Sequence, residues 1–194
     1  MKLVREHIFE KFIDDSDPIE DMDIGLKPII EKWIKENVYL SPGSRSRSEP
    51  PAFIINDDST IDIHADCRIN FLDGNLPNYI QFNNVYGDFA IEGPGISSKK
   101  NQNITSLRGC PKFIEGDFQC SRTSIKNLIG GPEKVTGRYI CSCIQTLKSL
   151  NGFPKHIGEY VACNNKAGLT MDDIPKGTYI GNYKLSNIDK WSDW

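Results

Sequence analysis

The feature that most constrains this chain is a repeat between Ile104 and Cys163. Leu107-x-Gly109-x-Pro111-x-x-Ile114-x-Gly116-x-Phe118-x-Cys120 is followed by Leu128-x-Gly130-x-Pro132-x-x-Val135-x-Gly137-x-Tyr139-x-Cys141. Leu150-x-Gly152-x-Pro154-x-x-Ile157 then closes on Val161-x-Cys163. Leu107 and Leu128 are 21 residues apart, and Leu128 and Leu150 are 22 apart. A unit this short cannot bury its own apolar side chains. It buries them by stacking on copies of itself, so the period predicts a solenoid.

Stacking coils at about 4.8 Å lays equivalent residues over one another in columns. Phe89, Phe118, Tyr139 and Val161 are expected in one inward column, and Ile91, Cys120, Cys141 and Cys163 in the next. Gly116 and Gly137 suit tight or positive-φ turns. The prolines favour an extended, polyproline-like connecting arm with little room for a helix. Weaker copies precede the repeat, so that units begin at Ile69, Phe89, Phe118, Tyr139 and Val161, with gaps of 20, 29, 21 and 22 residues. The long gap holds the polar insertion Ser97–Asn103. Gly177-x-Tyr179 reads as a truncated last unit whose next inward residue is Gly181.

The flanks follow different periods. Leu3, Val4, Ile8 and Phe12 suit one face of a first helix, broken at Asp14–Pro18. Leu26, Ile29, Ile30, Trp33 and Ile34 form the stripe of a second helix, with Pro28 tolerated in its first turn. Residues 1–40 are thus expected to be a helical N-terminal region and residues 41–52, rich in Ser, Pro and Arg, a linker. Residues 53–181 form the solenoid, led in by a strand or hairpin at Ile61-x-Ile63-x-Ala65-x-Cys67, and residues 182–194 a tail or cap. The expected fold class is α+β: a solenoid with a short parallel sheet, preceded by a small helical region.

Composition narrows the function classes. A net charge of −3 over 194 residues argues against a general nucleic-acid binder. No apolar run is long enough to span a bilayer, and Met1–His7 lacks the core of a secretion signal, so a cytoplasmic protein is expected. Three of the six cysteines (Cys120, Cys141 and Cys163) share one repeat position, which suggests buried thiols in a reducing compartment. Their spacing fits no zinc finger or knuckle, and stacked parallel neighbours rarely offer the dihedral a disulfide needs. The acidic run Asp14–Asp23 lacks the glycine and distal glutamate of a calcium loop. His7, His64 and His156 are scattered, with no serine or cysteine partnership. The expectation is a non-enzyme without cofactor or metal.

Read from the strand, the unit resembles a leucine-rich repeat of the short bacterial class, with Phe118, Cys120, Ile125 and Leu128, and Tyr139, Cys141, Leu147 and Leu150, at the leucine positions. Thr123, Ile144 and Lys166 stand where that class has asparagine. The phrase Phe12–Met22, followed by Gly-x-Pro repeats, resembles poorly characterised tailed-bacteriophage proteins that join a helical N-terminal region to such repeats. The resemblance implies a phage origin and a host-cytoplasm setting, and no reaction.

What remains is surface. Asp88, Asp117, Arg138 and Tyr160 are expected in one outward column, and Ala90, Gln119, Ile140 and Ala162 in the next. Arginine, tyrosine and an aliphatic side chain are types enriched at protein interfaces. Asp117, Gln119, Arg138, Ile140, Tyr160 and Ala162 are therefore the expected contact residues for a protein partner, a host protein on the phage reading. The alternative is a structural or self-assembling role, with a homo-oligomer formed through the end coils.

Overall fold

The computed structural model of the protein describes residues 25–42, 51–69, 74–91, 103–142, 144–163, 169 and 171–181. The chain forms a parallel-strand solenoid of about four turns with one short helix ahead of it. Helix α1 spans Leu26–Asn37 and buries Ile30, Trp33 and Ile34, the stripe expected from its sequence. The chain then enters strand β1, Val38–Ser41, without a loop. This corrects the boundary at residue 40: Val38, Tyr39 and Leu40 favour extended structure, and antiparallel pairing with a later strand satisfies their backbone. The expected first helix and most of the linker lie outside the described residues.

Twelve further strands follow: β2 (Phe53–Ile55), β3 (Ile61–Ile63), β4 (Asp66–Ile69), β5 (Phe82–Val85), β6 (Phe89–Ile91), β7 (Phe113–Ile114), β8 (Phe118–Gln119), β9 (Lys134–Val135), β10 (Tyr139–Ile140), β11 (His156–Ile157), β12 (Val161–Ala162) and β13 (Tyr179–Ile180). They form two sheets. The first has the order β1-β4-β6-β8-β10-β12, and the second β13-β11-β9-β7-β5-β3-β2. Each coil runs through a strand of the second sheet, turns a corner, runs through a strand of the first, and returns by an irregular arm.

The second sheet is a departure from the expected single sheet. It lies in the arm read as polyproline-like. Pro111, Pro132 and Pro154 each stand just ahead of its strands, where a missing N–H costs no ladder bond. Pairing begins one residue later: Lys112, Glu133 and Lys155 donate their N–H groups to Asn83, Lys112 and Glu133 carbonyls at 2.8–2.9 Å.

The core is a stack of columns. Phe89, Phe118 and Tyr139 are fully buried, with ring centroids 6.2 and 5.0 Å apart, and Cys120 and Cys141 form the next column. Val85, Ile114, Val135 and Ile157 face them from the second sheet, and Leu107, Ile125, Leu128 and Leu147 close the arm side. Two registers differ from expectation. Cys67, not Ile69, pairs with Phe89, so the first gap is 22 residues (89 minus 67) rather than 20. Tyr179 pairs with His156 in the second sheet, so Ile180 is the inward residue there and Gly181 is exposed.

The glycines divide into two kinds. Gly109, Gly130 and Gly152 turn the arm with φ of 90°, 89° and 88°. Gly116 and Gly137 are not in that region. They stand at the corner, where each N–H donates to the glycine carbonyl of the previous coil at 3.0 Å. A Cβ on Gly116 would lie 2.7 Å from the Gly87 carbonyl, too close for any side chain.

The two ends are unlike. At the N-terminal end β1 pairs antiparallel with β4, β2 pairs antiparallel with β3, and α1 packs on β1 and β2; the stretch Ile61–Cys67, expected as one leading strand or hairpin, is divided between β3 and β4 in different sheets. At the C-terminal end, no described strand lies beyond β12 or β13. Among the described residues no helix is long and apolar enough to cross a membrane.

Candidate functional site: the outer face of the first sheet

The corner before each strand of the first sheet carries a ladder of carboxylates. One Asp66 oxygen accepts the Asp88 N–H at 2.9 Å, Asp88 accepts the Asp117 N–H at 2.8 Å, and Asp117 accepts the Arg138 N–H at 2.7 Å. Parallel strands turning a corner leave these amides pointing along the stack, and a short acidic side chain reaches from one coil to the next.

The ladder ends at Arg138. Its Nε donates to the other Asp117 oxygen at 2.7 Å, and Nη2 is paired with the same carboxylate. Nη1 reaches the Tyr160 hydroxyl at 3.4 Å, with the guanidinium 6.0 Å from the Tyr160 ring centre. The Asp117 carboxylate and the Tyr160 hydroxyl push the Arg138 pKa further up. The side chain is clamped, yet it remains 43% exposed.

Beside this ridge runs an outward column fixed by the strand pairings: Tyr39, Arg68, Ala90, Gln119, Ile140 and Ala162. The expected contact residues are thus brought onto one face, with Asp117, Arg138 and Tyr160 on the ridge and Gln119, Ile140 and Ala162 along the column. They are not equally accessible. Gln119 and Ile140 are half-buried, and Ala162 is only 5% exposed, so it offers almost no contact area.

Sequence reasoning missed Tyr39, which is 60% exposed, and Arg68. Tyr39 falls within the stretch expected to be helical, and the two-residue slip of the first unit hides Arg68. The phrase Asp66-Cys67-Arg68 lies 22 residues before Asp88-Phe89-Ala90. That spacing carries the signal for Arg68.

The outer face of the second sheet was also not foreseen. His64 stacks on Tyr86 at 4.8 Å, Tyr86 meets Phe113 edge-on, Lys134 lies 5.6 Å over Phe113, and His156 stacks on Tyr179 at 4.7 Å. Glu133 sits between Lys112 and Lys155 at 3.9 and 3.6 Å. These rings follow one another along the coil axis, each covering one face of its neighbour, while Tyr86 and Tyr179 stay exposed. The charges alternate rather than accumulate.

For chemistry, His64 and His156 are engaged with aromatic rings on separate coils. Burial pushes the Cys67, Cys110 and Cys120 thiols up, the opposite of what an activated nucleophile needs. Among the described residues, no group of three or more His, Cys, Asp or Glu could hold a metal ion. His7, Cys143 and the acidic run Asp14–Asp23 lie outside the described residues. No family model matches the chain, and neither a curated protein nor a solved structure does.

Proposed function

We propose that this chain is a non-catalytic recognition module that binds a protein partner through the outer face of the first sheet. The observation that carries this reading is the clamped Arg138. An arginine held by a carboxylate and a tyrosine on a hydrogen-bonded ladder has lost its rotamer freedom before any partner arrives, so less entropy is lost on binding. Ile140 beside it supplies apolar area, and Tyr39 and Arg68 extend the face to the far end of the sheet. The leucine-rich-repeat-like character of the unit and its likeness to tailed-phage proteins favour a host protein as partner. That part rests on the resemblance in sequence alone.

The test is capture from bacterial lysate by the full chain and by two variants, Arg138→Ala/Tyr160→Ala and Gln119→Arg/Ile140→Asp. The second changes only outward side chains. The expected result is one prey protein, bound stoichiometrically when purified, that both variants lose while keeping the wild-type melting temperature. Retention of the same prey by folded variants removes this face from the function.

A structural, self-assembling role is the second reading, favoured by the missing described neighbour of β12 and β13. Light scattering separates the two. A monomer unchanged with concentration removes assembly and leaves recognition standing.

A further inference from the structure

Cys141 follows β10 and Cys163 follows β12, and the ladder carries on past both strand ends. The Cys141 N–H donates to the Ala162 carbonyl at 2.8 Å, so Cys163 falls opposite Cys141 as Ala162 falls opposite Ile140. Parallel neighbours lie about 4.8 Å apart, inside the range of about 4.4–6.8 Å that a disulfide requires between α-carbons. Both residues belong to the same repeat position and fall side by side in the first sheet. Cys120 stands opposite Cys141 on its other side.

Environment distinguishes the two neighbours. Cys120 is fully buried between two coils, whereas Cys163 is half-buried on the last strand of the first sheet. A mid-sheet strand is held at fixed spacing from both sides, which resists the roughly 90° dihedral of a disulfide. Among the described residues β12 is paired from one side, by β10.

We propose that Cys141 and Cys163 are an oxidisable dithiol, a modification site at which a peroxide links the last two coils of the first sheet. The half-buried Cys163 reacts first. Its thiolate attacks one oxygen of hydrogen peroxide, the O–O bond breaks, and the sulfur becomes a sulfenic acid while the departing hydroxide takes up the thiol proton as water. The Cys141 sulfur then attacks the Cys163 sulfur. The S–S bond forms, the S–O bond breaks, and the hydroxyl leaves as a second water with the Cys141 proton. Two thiols and one peroxide give one disulfide and two waters, the thiols losing the two electrons that the peroxide gains. The hydrogen bond with Cys163 and then burial push the Cys141 thiol up, which suits it to the resolving rather than the attacking role. The link would staple the end of the solenoid at which the described strands are all parallel.

The experiment treats the purified full chain with stoichiometric hydrogen peroxide, digests it without reductant, and reads cross-linked peptides by mass spectrometry. Cys141 and Cys143 fall in one tryptic peptide, so the Cys143→Ser variant is run beside the wild type to assign the link. The expected product joins Cys141 to Cys163, is reversed by a thiol reductant, persists in Cys120→Ser and Cys143→Ser, and disappears in Cys163→Ser. The oxidised protein should also melt at a higher temperature than the reduced one. A link that vanishes in Cys143→Ser, a link to Cys120, or Cys163 oxidised to the sulfinic acid without any link each overturns the proposal.

Discussion

The Tyr139 hydroxyl sits where Phe89 and Phe118 place a bare ring. The residue is wholly buried, and among the described residues its Oη has no hydrogen-bond partner. An unsatisfied buried polar atom costs about 1–3 kcal/mol of desolvation, so Tyr139→Phe should stabilise the fold by about 1–2 kcal/mol within that range. Urea denaturation would show a higher midpoint at unchanged slope. A lower midpoint would mean that the hydroxyl is bonded in solution. Asp117 gives the contrasting case, because it accepts a backbone amide and pairs with a side chain at once. Asp117→Ala removes both and should cost about 1–3 kcal/mol, the cost of leaving the partly buried Arg138 N–H unsatisfied. Asp117→Asn keeps an acceptor for that N–H and loses only the ion pair. With Arg138 well exposed, that loss is about 0–1 kcal/mol. Equal losses in the two variants would place the stabilisation in the charge instead of the ladder.

At the scale of the element, the corner glycines test the closeness of the coils. A Cβ on Gly137 would stand 2.7 Å from the Gly116 carbonyl oxygen and closer still to the Asp117 carboxylate. Gly137→Ala must therefore push two coils apart, at about 1–3 kcal/mol for overpacking, measured by the same denaturation. The thiol columns set the alkaline limit. Cys67, Cys110, Cys120 and Cys141 are all pushed up, mainly by burial and in Cys141 first by its bond to Cys163. Their folded pKa values lie above the unfolded ones, so the folded state holds more protons. Stability should be full below the unfolded thiol pKa of about 8.5 and fall as pH rises beyond it. Denaturation midpoints that stay level between neutrality and pH of about 10 would contradict this linkage.

The same elements explain what could be read in advance. Phe118, Tyr139, Cys120 and Cys141 were legible because each parallel strand of the first sheet, with the residue after it, places two apolar residues two apart at a fixed repeat position. The second sheet was not. Its two-residue strands β7, β9 and β11 each carry one inward residue, Ile114, Val135 or Ile157, beside Phe113, Lys134 or His156. Two residues do not make a period. The slip at β4 has a related cause. Cys67 and Ile69 both point inward, and a shift of two preserves every facing, so only pairing distinguishes them. That slip, together with the strand character of Val38–Ser41, hid Arg68 and Tyr39 from the candidate face.

Across the whole molecule the solenoid is a linear array whose coils touch only their neighbours, so it opens from its ends. The ends are closed differently. The N-terminal coil carries antiparallel strands on both sheets and a helix burying Ile30, Trp33 and Ile34. The last described strand, β13, is held from one side, and Tyr179 is 56% exposed. Amide hydrogen exchange should therefore be slowest at Phe89 and Phe118, whose N–H groups bond the next coil at 2.8 Å in mid-stack. Cys67, bonded to Asp88 O at the capped end, should exchange nearly as slowly. Tyr179 and Gly181, bonded to Lys155 O and Ile157 O on the last described strand, should exchange fastest of these. Opening from the C-terminal end then predicts that Gly137→Ala raises exchange at Tyr179 and Val161 more than at Cys67, because the weakened corner lies on their side of the stack. Equal protection at Cys67 and Tyr179 would mean that the C-terminal coils are held by something beyond the described strands, and the asymmetry argued from the caps would not govern how the molecule unfolds.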